Sequence, residues 1–241
     1  FNTAVGYSAG NAVTTGIRNT LIGALAGDAL TDADRNVAIG FQALTTDTLG
    51  SRSVAIGHNA LSVQNFTTAT NSFNTAVGHE AGAAITTGIQ NTLIGGLAGD
   101  ALVASADNVA VGFEALSTET GGQNNVAIGP RALKAQVNSS GNIYNTAVGA
   151  NAGTSITTGI ENTLIGGLAG DALTDADKNV AVGRGAIGSD TLGSRSVAVG
   201  FQALGDQNFT TATDVYNVGV GYEAGTSITT GVRNTILGGR A

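Results

Sequence analysis

The sequence contains no cysteine, methionine or tryptophan, and charged and aromatic side chains make up only 11% and 5% of its 241 residues. Without cysteine there can be neither a disulfide nor a thiolate metal centre, and the redox compartment stays open. The apolar residues are mainly Ala, Val, Ile and Leu, too small to build a thick core, so thin layers are expected. Basic runs are also missing: 10 Lys and Arg against 17 Asp and Glu give a net charge of −7 and a pI near 4.6. Nucleic acid and anionic membrane surfaces reward the opposite balance, so neither is expected as a partner. Gly and Asp break every apolar stretch well short of the roughly 20 residues a spanning helix needs, so no membrane insertion is expected in this segment. Helix of any kind is disfavoured, because glycine and β-branched residues punctuate every window.

What the chain does have is repetition. A pattern typified by Asn36 to Leu44, NVAIGFQAL, begins at Asn2, Asn19, Asn36, Ser53, Asn74, Asn91, Asn108, Asn125, Asn145, Asn162, Asn179, Ser196, Asn217 and Asn234. The steps are 17 residues, lengthened to 20 or 21 after every fourth copy. Large units therefore span residues 2–73, 74–144 and 145–216, with a partial one at 217–241. The fifth place is glycine in all fourteen copies: Gly6, Gly23, Gly40, Gly57, Gly78, Gly95, Gly112, Gly129, Gly149, Gly166, Gly183, Gly200, Gly221 and Gly238. The eighth is always alanine, from Ala9 to Ala241. A short fixed period over the whole length predicts one continuous array in which each repeat stacks on the next. The chain starts and stops inside a repeat, so it reads as a fragment of something longer.

Within NVAIG, Val37 and Ile39 alternate with Asn36, Ala38 and Gly40, the period of a strand. The middle residue is mostly Ala but becomes Leu21, Leu93, Leu164 or Ile236 in the second coil of each large unit. Both faces of the strand are thus apolar. One would be covered by the coil itself and the other by a second body. The glycine suits a corner of positive φ that a Cβ would obstruct, and the Asn row suits a hydrogen-bonded ladder closing a turn. Aliphatic anchors follow at Val13, Leu30, Leu49, Ile85, Leu102, Ile156, Leu173, Leu192 and Ile228, which predicts a second short strand in each turn. The expected architecture is all-β, a parallel β-roll or β-solenoid of about 14 coils, forming a rod roughly 65 to 70 Å long at the ~4.8 Å parallel-strand spacing.

NVAIGFQAL, SVAIGHNAL and NTAVGYSAG resemble the head repeats of YadA-like trimeric autotransporter adhesins. NTLIGGLAGDALTDADKNVAVG resembles repeat arrays of phage tail-fibre proteins. The resemblance covers essentially the whole chain and rests on its Asn/Ser, aliphatic, Gly, Ala signature. It implies a left-handed roll in which three chains associate side by side, hence a homotrimer. The adhesin heads have a shorter repeat than the 17 residues found here, which favours the tail-fibre relatives.

Every fourth connection is stretched and ends in an aromatic directly before the next Asn, as at Phe73, Tyr144 and Tyr216; two of the three add Phe66 and Phe209. These five are the candidate surface contacts, since loops on rigid scaffolds commonly carry recognition. The alternative is a side-chain plug that covers sheet or bridges chains. The place after the glycine is mixed (Tyr7, Phe41, His58, His79, Phe113, Pro130, Arg184, Phe201, Tyr222) and so reads as outward-facing.

Searching for chemistry yields little. His58 and His79 occupy the same place in adjacent coils and could share a metal, but they occur at only one joint, and no metal site is assigned. Asp28 to Asp34, DALTDAD, returns at Asp171 to Asp177 but loses a carboxylate in the middle unit, so a solvated turn with Arg35 or Lys178 as counter-charge is favoured over Ca²⁺. No repeated Ser, His, Asp set or carboxylate pair suggests catalysis, and no glycine-rich bend leads into a Lys and a helix as a phosphate loop would. No cofactor is expected.

The expected function is therefore non-catalytic: an extracellular fibre segment of a virion tail fibre or bacterial surface adhesin, attaching to a host glycan or protein receptor. A self-assembling filament is one alternative. A lattice- or ice-binding solenoid is another, motivated by ITTGI at Ile85 to Ile89 and Ile156 to Ile160.

Overall fold

The computed structural model describes every residue from Phe1 to Ala241 and contains strands and turns but no helix. Each copy forms one coil and contributes one three-residue strand at places two to four: Thr3–Val5 in coil 1, Val37–Ile39 in coil 3, Thr235–Leu237 in coil 14. These strands lie in chain order in a single 14-stranded parallel sheet. Equivalent places always pair, so Ala38 sits between Leu21 and Ala55. The long steps do not shift the register: Val54 pairs with Thr75, Val126 with Thr146 and Val197 with Val218. Extra residues are absorbed outside the sheet.

The second strand expected in every turn forms only beside two long connections, where Gly50–Ser51 pairs with Thr70–Asn71 and Gly193–Ser194 with Thr213–Asp214. A single bridge, Gln123 to Asn142, marks the third. Elsewhere this side of the coil is turns and bends. The bends still bond coil to coil, as in Gly10 N to Ala26 O and Thr14 N to Thr31 O, both 3.0 Å.

The glycine corner meets its expectation. Gly40 has φ +136°, and a Cβ there would stand 2.5 Å from the Gly57 carbonyl oxygen of the next coil. Asparagine closes the coil and links it to its neighbour: Asn36 Nδ2 donates to Gly50 O at 2.8 Å, while Asn36 Oδ1 accepts from Ser53 N at 2.8 Å.

Inside the coil, the middle strand residue faces the invariant alanine, and Ala38, Ala43, Ala55 and Ala60 are completely buried. The remaining space is filled from one of two places. Where the strand supplies Leu21, the ninth places of coils 1 and 2 are Gly10 and Gly27; where it supplies Ala38 and Ala55, they are Leu44 and Leu61. A Cβ on Gly27 would lie 2.8 Å from a Leu21 methyl and 2.8 Å from a Leu30 methyl. Either arrangement fills the interior, and the two together would overfill it.

Candidate functional site

The outward face of the long sheet is the most extensive surface feature. Places two and four point away from the coil interior and carry Val, Ile, Leu or Thr in every coil. The β-branched residues are therefore the outer face, and the small Ala/Leu face is the packed one. Ile94 and Ile165 each remain 40% exposed. Two rows of mixed residues border this stripe. On one side, Arg52 lies over the Phe73 ring at 5.5 Å and Arg195 over Tyr216 at 5.8 Å. On the other, Phe41, His58 and His79 stack in succession, with centroids 5.5 and 5.1 Å apart. Phe201 and Tyr222 stack at 5.3 Å in the same row.

The five candidate contact rings divide into two groups. Phe73, Tyr144 and Tyr216 are outward, Tyr144 being 54% exposed. Phe66 and Phe209, expected as surface contacts, are buried, both only 7% exposed. The stretched connections nonetheless project as expected, through the exposed triplets Thr67, Thr68, Ala69 and Thr210, Thr211, Ala212.

Sequence reasoning missed the residues that hold these connections. Leu49 and Leu192, expected as anchors, are only half-buried, and the interior place two residues earlier belongs to Asp47 and Asp190, both fully buried. Asp47 Oδ1 accepts from Gly50 N and Phe66 N at 3.0 Å, and its Oδ2 accepts from Gln64 Nε2 at 2.6 Å. Gln64 in turn donates to Ser53 Oγ at 2.9 Å and accepts from Asn74 Nδ2 at 2.8 Å. Asp190 with Gln207, and Glu119 with Gln136, repeat the arrangement. Burial pushes the Asp47 carboxyl up from its ordinary value, opposed by the hydrogen bonds from Gln64, Phe66 and Gly50. With its acceptor capacity committed to these donors, the carboxylate serves to secure the loop. The readable signal was the twelfth place of each repeat, which runs Val13, Leu30, Asp47, Gln64 and then Ile85, Leu102, Glu119, Gln136.

The aspartate-rich turn does not converge on a point. Asp28 accepts from Thr45 Oγ1 at 2.5 Å, Asp32 from Thr15 Oγ1 at 2.6 Å, and Asp34 from Ile17 N at 2.8 Å. Lys178 faces Glu161 at 3.8 Å. The threonine rows are also engaged, with Thr31 Oγ1 donating to Thr48 O at 3.1 Å and Thr157 Oγ1 to Thr174 O at 3.3 Å, so these hydroxyls serve the stack. The single concavity, about 400 Å³, lies in the last two coils among Glu223, Thr226, Ile228 and Arg240. Comparison with protein-family models, curated proteins and solved structures finds no match to this chain.

Proposed function

We propose that the chain is a rigid, non-catalytic fibre segment that associates in threes through its outward sheet face. In this reading it belongs to an extracellular tail fibre or surface adhesin of the kind its repeats resemble. It would hold an attachment tip away from the particle or cell and present half-exposed rings such as Tyr144 to a glycan or protein receptor. The observation that carries the reading is the outward stripe: fourteen strands in register, with Val, Ile or Leu at the fourth place of every coil and Val or Thr at the second, open on that side. At ordinary strand spacings it measures about 65 by 10 Å, or about 650 Å². That is near the ~800 Å² per partner of a standard interface.

The test is the mass in solution under native conditions. A threefold mass is expected from analytical ultracentrifugation or native mass spectrometry. A monomer at micromolar concentration would overturn the reading, because the stripe would then be stable in water uncovered.

A further inference from the structure

We propose that His58, His79 and Glu80 form a binding site for a borderline divalent transition cation such as Zn²⁺, clipping the first large unit to the second. The parallel register that pairs Val54 with Thr75 brings the two histidines together from successive coils, although 21 residues separate them in the chain. Their rings stack with centroids 5.1 Å apart and planes 6° from parallel. Glu80 follows directly, with Oε1 3.9 Å from His79 Nε2. The three candidate ligand atoms all lie within 4.8 Å of one another.

Two imidazole nitrogens and a carboxylate oxygen are a donor set for Zn²⁺, Ni²⁺ or Cu²⁺, whereas Ca²⁺ and Mg²⁺ favour oxygen alone. Ligand atoms at roughly 2.0 to 2.2 Å from an ion must approach each other more closely than they do here. His58 and His79 are exposed and Glu80 half-buried, so side-chain torsions can close that gap while the backbone ladder stays in place. The surroundings leave room on one side: Phe41 covers the outer face of His58 at 5.5 Å, while the equivalent place beyond His79 is Gly96, with no side chain. The ion would span the first long connection, and at the third joint the same row is bridged by the stacked Phe201 and Tyr222. The site stands on this chain alone, whether or not it trimerises.

The experiment is a Zn²⁺ titration of the tag-free full chain, followed through the ring signals of its only two histidines by NMR and through the melting temperature. Both rings are expected to shift together and saturate at one ion per chain, with a rise in melting temperature that EDTA reverses. His58→Ala and His79→Ala should each weaken binding by at least about tenfold, and Glu80→Gln by less. Both histidines are exposed, so the variants should keep the wild-type circular dichroism. A shift of one ring only, no saturation at one ion per chain, or an affinity unchanged in either histidine variant would overturn the site.

Discussion

At the scale of single residues, the repeat is held by groups with closely defined surroundings. Gly40 combines φ +136° with a neighbouring carbonyl 2.5 Å from where its Cβ would be. Gly40→Ala should therefore lose about 2 to 4 kcal/mol in denaturant unfolding, from backbone strain and displacement of the next coil. Gly96→Ala is the matched control. Its Cβ would make only ordinary contacts, with the Phe113 ring edge at 3.6 Å and the His79 carbonyl oxygen at 4.0 Å, so a change within about 0.5 kcal/mol is expected.

Asp47 makes a second case, because Asp47→Ala strands the buried N–H groups of Gly50 and Phe66 and should cost about 2 to 4 kcal/mol. Its titration has a definite sign. The folded carboxyl is raised above its ordinary 3.8, so the folded chain keeps that proton to higher pH than the unfolded chain does. Its contribution is therefore greatest below the ordinary value and falls as pH climbs through the raised folded value. Melting curves across the acid range should show wild type losing ground to Asp47→Asn as pH rises; a constant difference would refute the shift.

At the scale of the coil, the interior is shared between strand and bend. Leu21→Ala should cost about 3 kcal/mol through the cavity it leaves. Gly27→Leu alone should also destabilise, since its side chain would collide with Leu21 and Leu30. The ninth place already accepts leucine at positive φ in Leu44 and Leu61, so in the double variant the bend can refill what the strand gave up. A thermodynamic cycle should find the pair less damaging than the sum of its parts by about 1 to 3 kcal/mol. Strict additivity would mean that the two places do not share one volume. The same partition explains why the twelfth place can turn polar. Where Leu44 and Leu61 fill the centre from the bend, Asp47 and Gln64 are free to face the long connection.

At the scale of the whole rod, the strands of the long sheet bond in chain order and no contact folds one end back on the other. The ladder runs uninterrupted through all fourteen coils, and the proposed association would use its open side. Ile94→Asp and Ile165→Asp place a charge on that side without touching the interior. Together they should reduce a threefold mass to that of one chain while leaving the circular dichroism unchanged, and single-chain stability should move by no more than about 0.5 kcal/mol per site. An assembly that survives both charges must be held by another surface.

How much was legible beforehand depended on whether a feature recurred in every copy. The glycine corner, the asparagine ladder and the parallel register each repeat at a constant step, and a constant step in a stacked array dictates a constant environment. A row of aliphatic side chains marks which residues face inward and not whether the backbone between them is extended, so a second strand expected in every turn forms beside only two long connections. Phe66 and Phe209 were assigned to the surface because a loop aromatic looks the same in sequence whether it plugs or projects.

By itself the sequence determined the coil count, the register and the place of each corner, all consequences of period alone. Tertiary structure decided which strand face lies inside, which carboxylates are buried, and that Glu80 joins His58 and His79. Those depend on where side chains point once neighbouring coils are stacked, and no spacing along the chain encodes that direction.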